Sequence, residues 1–154
     1  MPAATTAMTA AGTKLHICAD APATYDAAGF GAIGMTWTEV GEIVSFGEFG
    51  RKYNFVKHLP LSSRRTVKRK GSYDDGNLNL QLARTPGNAG QLLIKAALAS
   101  DTSYSYKVTL QDGTIMYFSA QCGSYTTNVG TTDTIVGSVA SLEIDNDIIE
   151  VAPT

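Results

Sequence analysis

The chain has 154 residues, 44% of them hydrophobic, which suits one domain with a proper core and leaves little room for a second. Charged residues make up only 17%, against roughly 25% in ordinary globular domains, and the formal net charge is −2. No global basic charge marks a nucleic-acid binder. Sparse charge is expected where neighbouring subunits cover the surface, a trait shared by β-rich domains with many Thr, Ser and Gly.

Met1 to Gly12 is rich in Ala and Thr, with no basic start and no long apolar run. It is not a signal peptide, and residues 1–12 are expected to form a flexible arm before a single domain over 13–154. No apolar run in the chain is long enough for a membrane-spanning helix, so the protein is expected to be soluble and to stay in the cell that makes it.

Lys14 to Cys18 alternates, with Leu15 and Ile17 facing one way and Lys14 and His16 the other, the period of a half-buried strand. Strands are also predicted over Thr36 to Phe49 and within Lys52 to Lys70. Asn77 to Ala83 alternates again through Leu78, Leu80 and Leu82, and Pro86-Gly87 breaks that strand. Asn88 is placed to cap a helix, with Gln91 three residues on in capping-box position. Gly90 to Ala99 is apolar over most of its circumference, with Gln91 and Lys95 as a thin polar stripe, so this short helix needs a sheet to pack against. Tyr104 to Gln111 alternates, Asp112-Gly113 signals a tight hairpin, and Thr114 to Cys122 is the return strand. A polar connection from Gly123 to Asp133 leads to strands over Thr134 to Ile144 and Asp147 to Val151. The expected fold is mainly β with one helix (α+β), without internal repeats.

Catalytic signatures are missing. Gly29-Phe30-Gly31-Ala32-Ile33-Gly34 matches G-x-G-x-x-G letter for letter, but a pyrophosphate cradle needs a strand before it and a helix after it. Here a Pro22-containing stretch precedes and a strand-like segment follows, so the motif reads as a flexible glycine-rich turn. His16 and His58 have no spaced partners for a metal, and Asp74-Asp75-Gly76 lacks the alternating oxygen ligands of a Ca²⁺ loop, so it reads as a turn. Cys18 and Cys122 fit no metal or redox motif and read as reduced, half-buried thiols, with a disulfide left open. Neither cofactor nor enzymatic activity is expected.

Charge falls in blocks. Arg51, Lys52, Lys57, Arg64, Arg65, Lys68, Arg69 and Lys70 follow one another without an acid between them. Glu39, Glu42 and Glu48 lie before this block, and Glu143, Asp145 and Asp147 lie near the C-terminal end. The basic run admits three readings: a nucleic-acid patch beside Tyr53, Phe55 and Tyr73, a solvated loop, or a contact with the acidic surface of an identical subunit. The last would be heterologous, and such contacts propagate into rings or filaments.

In its order of features the chain resembles the major tail tube proteins of long-tailed bacteriophages, of the lambda type. The resemblance runs from Gly12-Thr13-Lys14-Leu15 through the basic connection ending in Lys70-Gly71 and the acidic turn Asp74-Asp75-Gly76. It continues through Pro86-Gly87-Asn88-Ala89-Gly90-Gln91-Leu92-Leu93 at the helix start, the Asp-Gly hairpin, and a last strand around Ile135 to Ile144. The lambda-type C-terminal immunoglobulin-like domain has no counterpart in this pattern, an expected loss of surface decoration that leaves the tube-forming domain intact.

The resemblance implies two packed antiparallel sheets, sandwich- or barrel-like, flanked by one helix, with a long loop between early strands. It implies hexameric rings whose sheets join into one barrel and which stack head to tail into a siphovirus-type tail tube, the conduit for DNA ejection. Residues 51–76 correspond to the loop that reaches the next ring, with the eight cations above as its contacts. Implied partners are further copies of the chain, a tape-measure protein inside the tube, and terminator and baseplate or tail-tip proteins at the ends. DNA would pass without specific binding, and no membrane is involved. Assembly would occur in the host cytoplasm, on the way to the virion. Because carboxylates repel phosphates, the channel is expected to be lined by Glu39, Glu42 and Glu48 or by the acids from Glu143 onward. Competing expectations are a related ring protein (tail terminator, head–tail connector or secretion-tube subunit) and a small β-barrel that binds nucleic acid.

Overall fold

A computed structural model describes residues 2–153; Met1 and Thr154, the outer ends of the expected arm and domain, lie outside the described residues. Ten strands are present: β1 (Lys14–Cys18), β2 (Thr38–Val40), β3 (Ile43–Ser45), β4 (Lys52–His58), β5 (Val67–Asp74), β6 (Asn77–Ala83), β7 (Tyr104–Thr109), β8 (Ile115–Asn128), β9 (Gly137–Ile144) and β10 (Ile149–Val151). The helices are α1 (Ala27–Phe30) and α2 (Ala89–Ala99). Eight strands form one antiparallel sheet in the order β2-β1-β7-β8-β9-β6-β3, with β10 beside β8, while β4 and β5 form a separate two-stranded ribbon.

Two corners fold the large sheet over itself. β8 pairs with β7 as far as Ala120 and with β9 from Ala120 to Asn128, and its register shifts at Gly123. β2 and β3 stand at opposite ends of the sheet order, yet only Gly41 and Glu42 separate them, and Glu42 takes a φ of 61°. A positive φ is costly for a non-glycine residue and marks a forced kink. Corner strands of this kind switch between packed layers. One layer holds β2, β1, β7, the first half of β8 and β10; the other holds the second half of β8, β9, β6 and β3. Leu15, Ile17, Tyr106 and Val108 of the first share one core with Leu78, Leu80, Ala140 and Leu142 of the second. The result is the expected pair of packed antiparallel layers, open rather than closed into a barrel.

The Asp112-Gly113 hairpin forms as its chemistry predicts, with Gly113 at φ 96° and the Asp112 carboxylate accepting from the Thr114 N–H at 3.0 Å. The return strand runs six residues past its predicted end at Cys122, into the segment expected to be a polar connection. Its Thr and Tyr residues suit a strand, and only pairing with β9 draws them into one.

α2 begins as expected, with Asn88 accepting from the Gln91 N–H at 3.1 Å. Gln91 itself departs from the expected polar stripe and is only 2% exposed. Its side-chain amide donates to the Gly41 and Ala83 carbonyls, both at 3.0 Å, and accepts from the Thr85 N–H at 2.9 Å. It therefore ties the helix to the kink after β2 and to the end of β6. Gly90 lets the helix approach β2, since a Cβ there would lie 2.3 Å from the Glu39 carbonyl oxygen.

The G-x-G-x-x-G stretch is partly helical. Asp26 caps the single turn α1, accepting from the Gly29 N–H at 2.7 Å, and a Cβ on Gly29 would meet the Thr24 carbonyl at 1.8 Å. The glycines close a helix rather than open one, the reverse of a phosphate cradle. Cys18 and Cys122 are both buried and unpaired. No helix among the described residues is long and apolar enough to cross a membrane.

Candidate assembly surfaces

Residues 51–76, expected as a long loop, contain the β4–β5 ribbon. The strands are joined through a turn in which the Ser63 N–H donates to the Pro60 carbonyl. Pro60 and the serines at 62 and 63 break the basic block in the middle, and β-prone residues on either side pair across it. The ribbon's root is braced. Arg51 donates to the buried Asp75 carboxylate at 3.4 Å and to Asp147 at 2.8 Å, and its guanidinium stacks 4.1 Å from the Tyr73 ring centroid. The Ile144 N–H donates to the Gly76 carbonyl, joining the ribbon's exit to β9.

Of the eight predicted basic contacts, Arg51 is thus an internal brace, and Lys52 pairs with Glu48 at 3.3 Å. Lys57, Arg64, Arg65, Lys68, Arg69 and Lys70 are exposed and have no acidic partner among the described residues. On one face of the ribbon Tyr53, Phe55 and Lys57 stand opposite Tyr73, Lys70 and Lys68. Lys70 lies 4.6 Å from the Tyr53 ring centroid. Phe55, Val56, Leu59 and Leu61 are also exposed, Leu61 fully. A two-stranded ribbon with like charges opposed and apolar side chains in water is marginal on its own.

The predicted acids are scattered. Glu39, on β2, lies 3.8 Å from Lys14, and Glu42 occupies the kink. Asp145 accepts from the Ser103 hydroxyl, and Asp147 braces Arg51. Glu143 is exposed and accepts from the Asn77 side-chain amide at 3.4 Å. On the outer face of the second layer the register aligns Asn77, Glu143 and Gln121 in one row, Asn79, Ser141 and Ser124 in the next, and Gln81, Val139 and Thr126 in a third. Apart from Val139, which is 39% exposed, the side chains of these rows are polar, and Glu143 carries their one charge. The alternation in β6 points to such a face, but the partner rows in β8 and β9 depend on long-range register.

Among the described residues no group of three His, Cys, Asp or Glu side chains could hold a metal ion. His16 is shifted down by burial and by Lys107, and Tyr25 is pushed up to about 12 by burial. Tyr25 donates to the Asp147 carbonyl and accepts from the Ser119 N–H, so its hydroxyl ties the segment before α1 to β8 and to the turn before β10.

No curated protein matches the sequence significantly. Among solved structures, the chain is similar to the sheath/tube terminator of an extracellular contractile injection system (PVC), with a TM-score of 0.69, 12% identity, and coverage of 97% of this chain and 100% of that one. It is similar to a chain of the anti-feeding prophage (AFP) baseplate, with a TM-score of 0.71, 10% identity, and coverage of 97% and 98%. It is also similar to the SPP1 tail tube, with a TM-score of 0.60, 14% identity, and coverage of 91% and 76%. At such identities these likenesses establish the fold. The model of the lambda phage tail tube protein family matches residues 31–147, most of the chain, including the kink, the ribbon, α2 and the hydrophilic sheet face. The chain therefore belongs to the lambda phage tail tube protein family, as a structural subunit of the virion's tail.

Proposed function

We propose that this subunit catalyses nothing and acts by assembling into hexameric rings that stack head to tail around a channel for DNA. The observation that carries this reading is the β4–β5 ribbon: its two strands and their connecting turn carry six cations without an acidic partner among the described residues and four exposed apolar side chains. Lys57, Arg64, Arg65, Lys68, Arg69 and Lys70 contact the next ring, where acids neutralise them. Arg51 and Lys52 hold the ribbon's root instead.

The outer face of β6, β9 and the second half of β8 lines the channel. Its amides and hydroxyls keep water at the wall, and Glu143, repeated in every copy, repels phosphate without gripping it. Of the six candidate acids, Glu143 is the one this reading assigns to the lumen. A tape-measure protein occupies the channel before DNA does, and terminator and baseplate or tail-tip proteins close the ends.

Negative-stain electron microscopy of the purified protein across a range of salt tests this. Striated hollow tubes whose stacking weakens with salt are expected. A second reading, nucleic-acid binding by the ribbon, is favoured by the aromatic and basic side chains on its one face. It predicts a persistent monomer with steeply salt-dependent affinity for DNA, and that outcome would overturn the tube.

A further inference from the structure

The β4–β5 ribbon is rooted at one end of the second layer. The Gly50 N–H donates to the Asp75 carbonyl and the Ile144 N–H to the Gly76 carbonyl, beside the rung that pairs Asn77 with Glu143. Seven rungs of β6 and β9 run from there to Ala83 and Gly137, so the far end lies about 20 Å from the root. At that far end the Ala83 N–H donates to the Glu42 carbonyl and the Arg84 N–H to the Val136 carbonyl. Residues 129–136 connect β8 to β9 there.

This connection holds a built turn. The Thr134 N–H donates to the Thr131 carbonyl at 3.1 Å, and the Thr134 hydroxyl accepts from the Thr131 N–H at 2.8 Å. Gly130 takes a φ of 71°, and a Cβ on it would lie 2.2 Å from the Thr134 hydroxyl oxygen. Thr132 and Asp133 are thereby held at the tip. Asp133 is exposed and has no cationic partner among the described residues. Val129 and Ile135 flank the turn as exposed apolar side chains.

Building on the tube reading, we propose that this turn is a docking element whose partner is a second copy of the chain. Asp133 enters the open cleft that Lys57, Arg65, Lys68 and Arg69 line on the ribbon of a subunit in the adjoining ring. A head-to-tail joint brings opposite ends of the subunit together. An acid at the ribbon's own end cannot face the ribbon across such a joint. That rule sets aside Asp74, Asp75, Asp145 and Asp147, which cluster at the root, and Glu48, which pairs with Lys52 there. At the far end stand Glu42 and Asp133, and only Asp133 is carried on a projecting turn.

The two surfaces match in kind. Each joins charge to exposed aliphatic groups: Asp133 beside Val129 and Ile135 on the turn, and the cations beside Leu59 and Leu61 on the ribbon. A carboxylate between Lys57 and Lys68 also removes the repulsion across their rung. Asp133 lies outside both acidic blocks of the sequence, in a stretch that reads as a plain polar connection, so charge clustering alone could not find it.

Charge reversal tests the pairing. Asp133→Lys changes an exposed side chain and is expected to melt like the parent, yet to need about tenfold or more protein to form tubes. Adding Lys68→Glu to it restores one opposite pair, and the double variant should need at least about threefold less protein than Asp133→Lys alone. Carbodiimide coupling of parent tubes made from isotopically mixed subunits gives a second readout. An amide between Asp133 and Lys57 or Lys68 of different copies is expected in tubes and not in the free protein. Tubes from Asp133→Lys at the parent's concentration, or ribbon lysines that couple to other acids and never to Asp133, would overturn the pairing and leave the tube reading intact. A parent protein that forms no tubes under any condition would overturn both.

Discussion

Lys57 and Lys68 stand directly opposite each other in the β4–β5 ribbon, two exposed ammonium groups across one rung with no acidic partner among the described residues. Like charges at directly opposed positions weaken a ladder, so in the free subunit the rung opposes the fold it belongs to. A surface that carries such a cost is best explained by a partner that removes it.

Lys68→Glu should therefore have opposite effects before and after assembly. In the isolated subunit the new cross-strand pair stabilises the ribbon by a few tenths of a kcal/mol, read as slower exchange of its amides. In assembly the reversal places like charges against the neighbouring ring and raises the protein concentration needed for tubes by about tenfold or more. Sedimentation of tubes against soluble subunit measures this. If Lys68→Glu polymerises as readily as the parent, the ribbon is not the stacking contact.

Gly90→Ala should destabilise the fold although alanine favours helices. The helix gains about 1 kcal/mol in propensity. The new Cβ would lie 2.3 Å from the Glu39 carbonyl oxygen and 2.5 Å from the Val40 Cα, backbone atoms that cannot swing aside. Overpacking against backbone lies at the upper end of about 1–3 kcal/mol, so a net loss of about 2 kcal/mol is expected in urea unfolding. A more stable variant would mean that α2 does not rest on β2 as closely as described.

Gln91→Glu replaces a buried donor of two hydrogen bonds by an acceptor facing the Gly41 and Ala83 carbonyls. Two unsatisfied carbonyls and a buried carboxylate together cost about 3–5 kcal/mol at neutral pH. Burial favours the protonated acid, which can donate to one carbonyl, so the loss should shrink as the pH falls from 7 towards 4. Thermal melts at several pH values check this. A pH-independent deficit would contradict the role given to the amide.

Tyr25 sets an alkaline limit. Burial pushes its ionisation from 10.0 up to about 12 in the folded protein. A raised folded value adds stability that is fully present below the unfolded value and is lost as pH climbs through the folded one. The stability of the parent should therefore fall between about pH 10 and pH 12. Tyr25→Phe should lose the bonds to Ser119 and Asp147 at neutral pH while keeping the ring against Phe30, and it should show a shallower alkaline slope. Equal slopes in parent and variant would refute the assignment.

Local pattern made much of this architecture legible. β1 and β6 occupy the predicted residues because strict alternation leaves one register that buries Leu15 and Ile17, or Leu78, Leu80 and Leu82. Asn88 and Asp112-Gly113 announce a helix start and a turn through their own side-chain and backbone chemistry. What stayed hidden depends on pairing partners distant in sequence. The run Thr36 to Phe49 splits at Gly41-Glu42 because β1 and β6 claim its two halves. β8 continues past Cys122 because β9 lies beside it, and Gln91 is buried because Gly41 and Ala83 meet at the helix start. In the candidate site, the charge block located the ribbon. Charge alone could not separate Arg51, which reaches Asp75 and Asp147, from the six cations left free. Nor could it separate Glu143, which accepts from the Asn77 amide within the polar rows, from Asp147, which Arg51 holds.

A density map of assembled tubes tests the central claim most directly. Stacked rings are expected, with Arg64 to Lys70 against acidic residues of the adjoining ring and Glu143 facing the channel. A map with Arg64 to Lys70 on the channel wall, where they would hold DNA rather than let it pass, would contradict it.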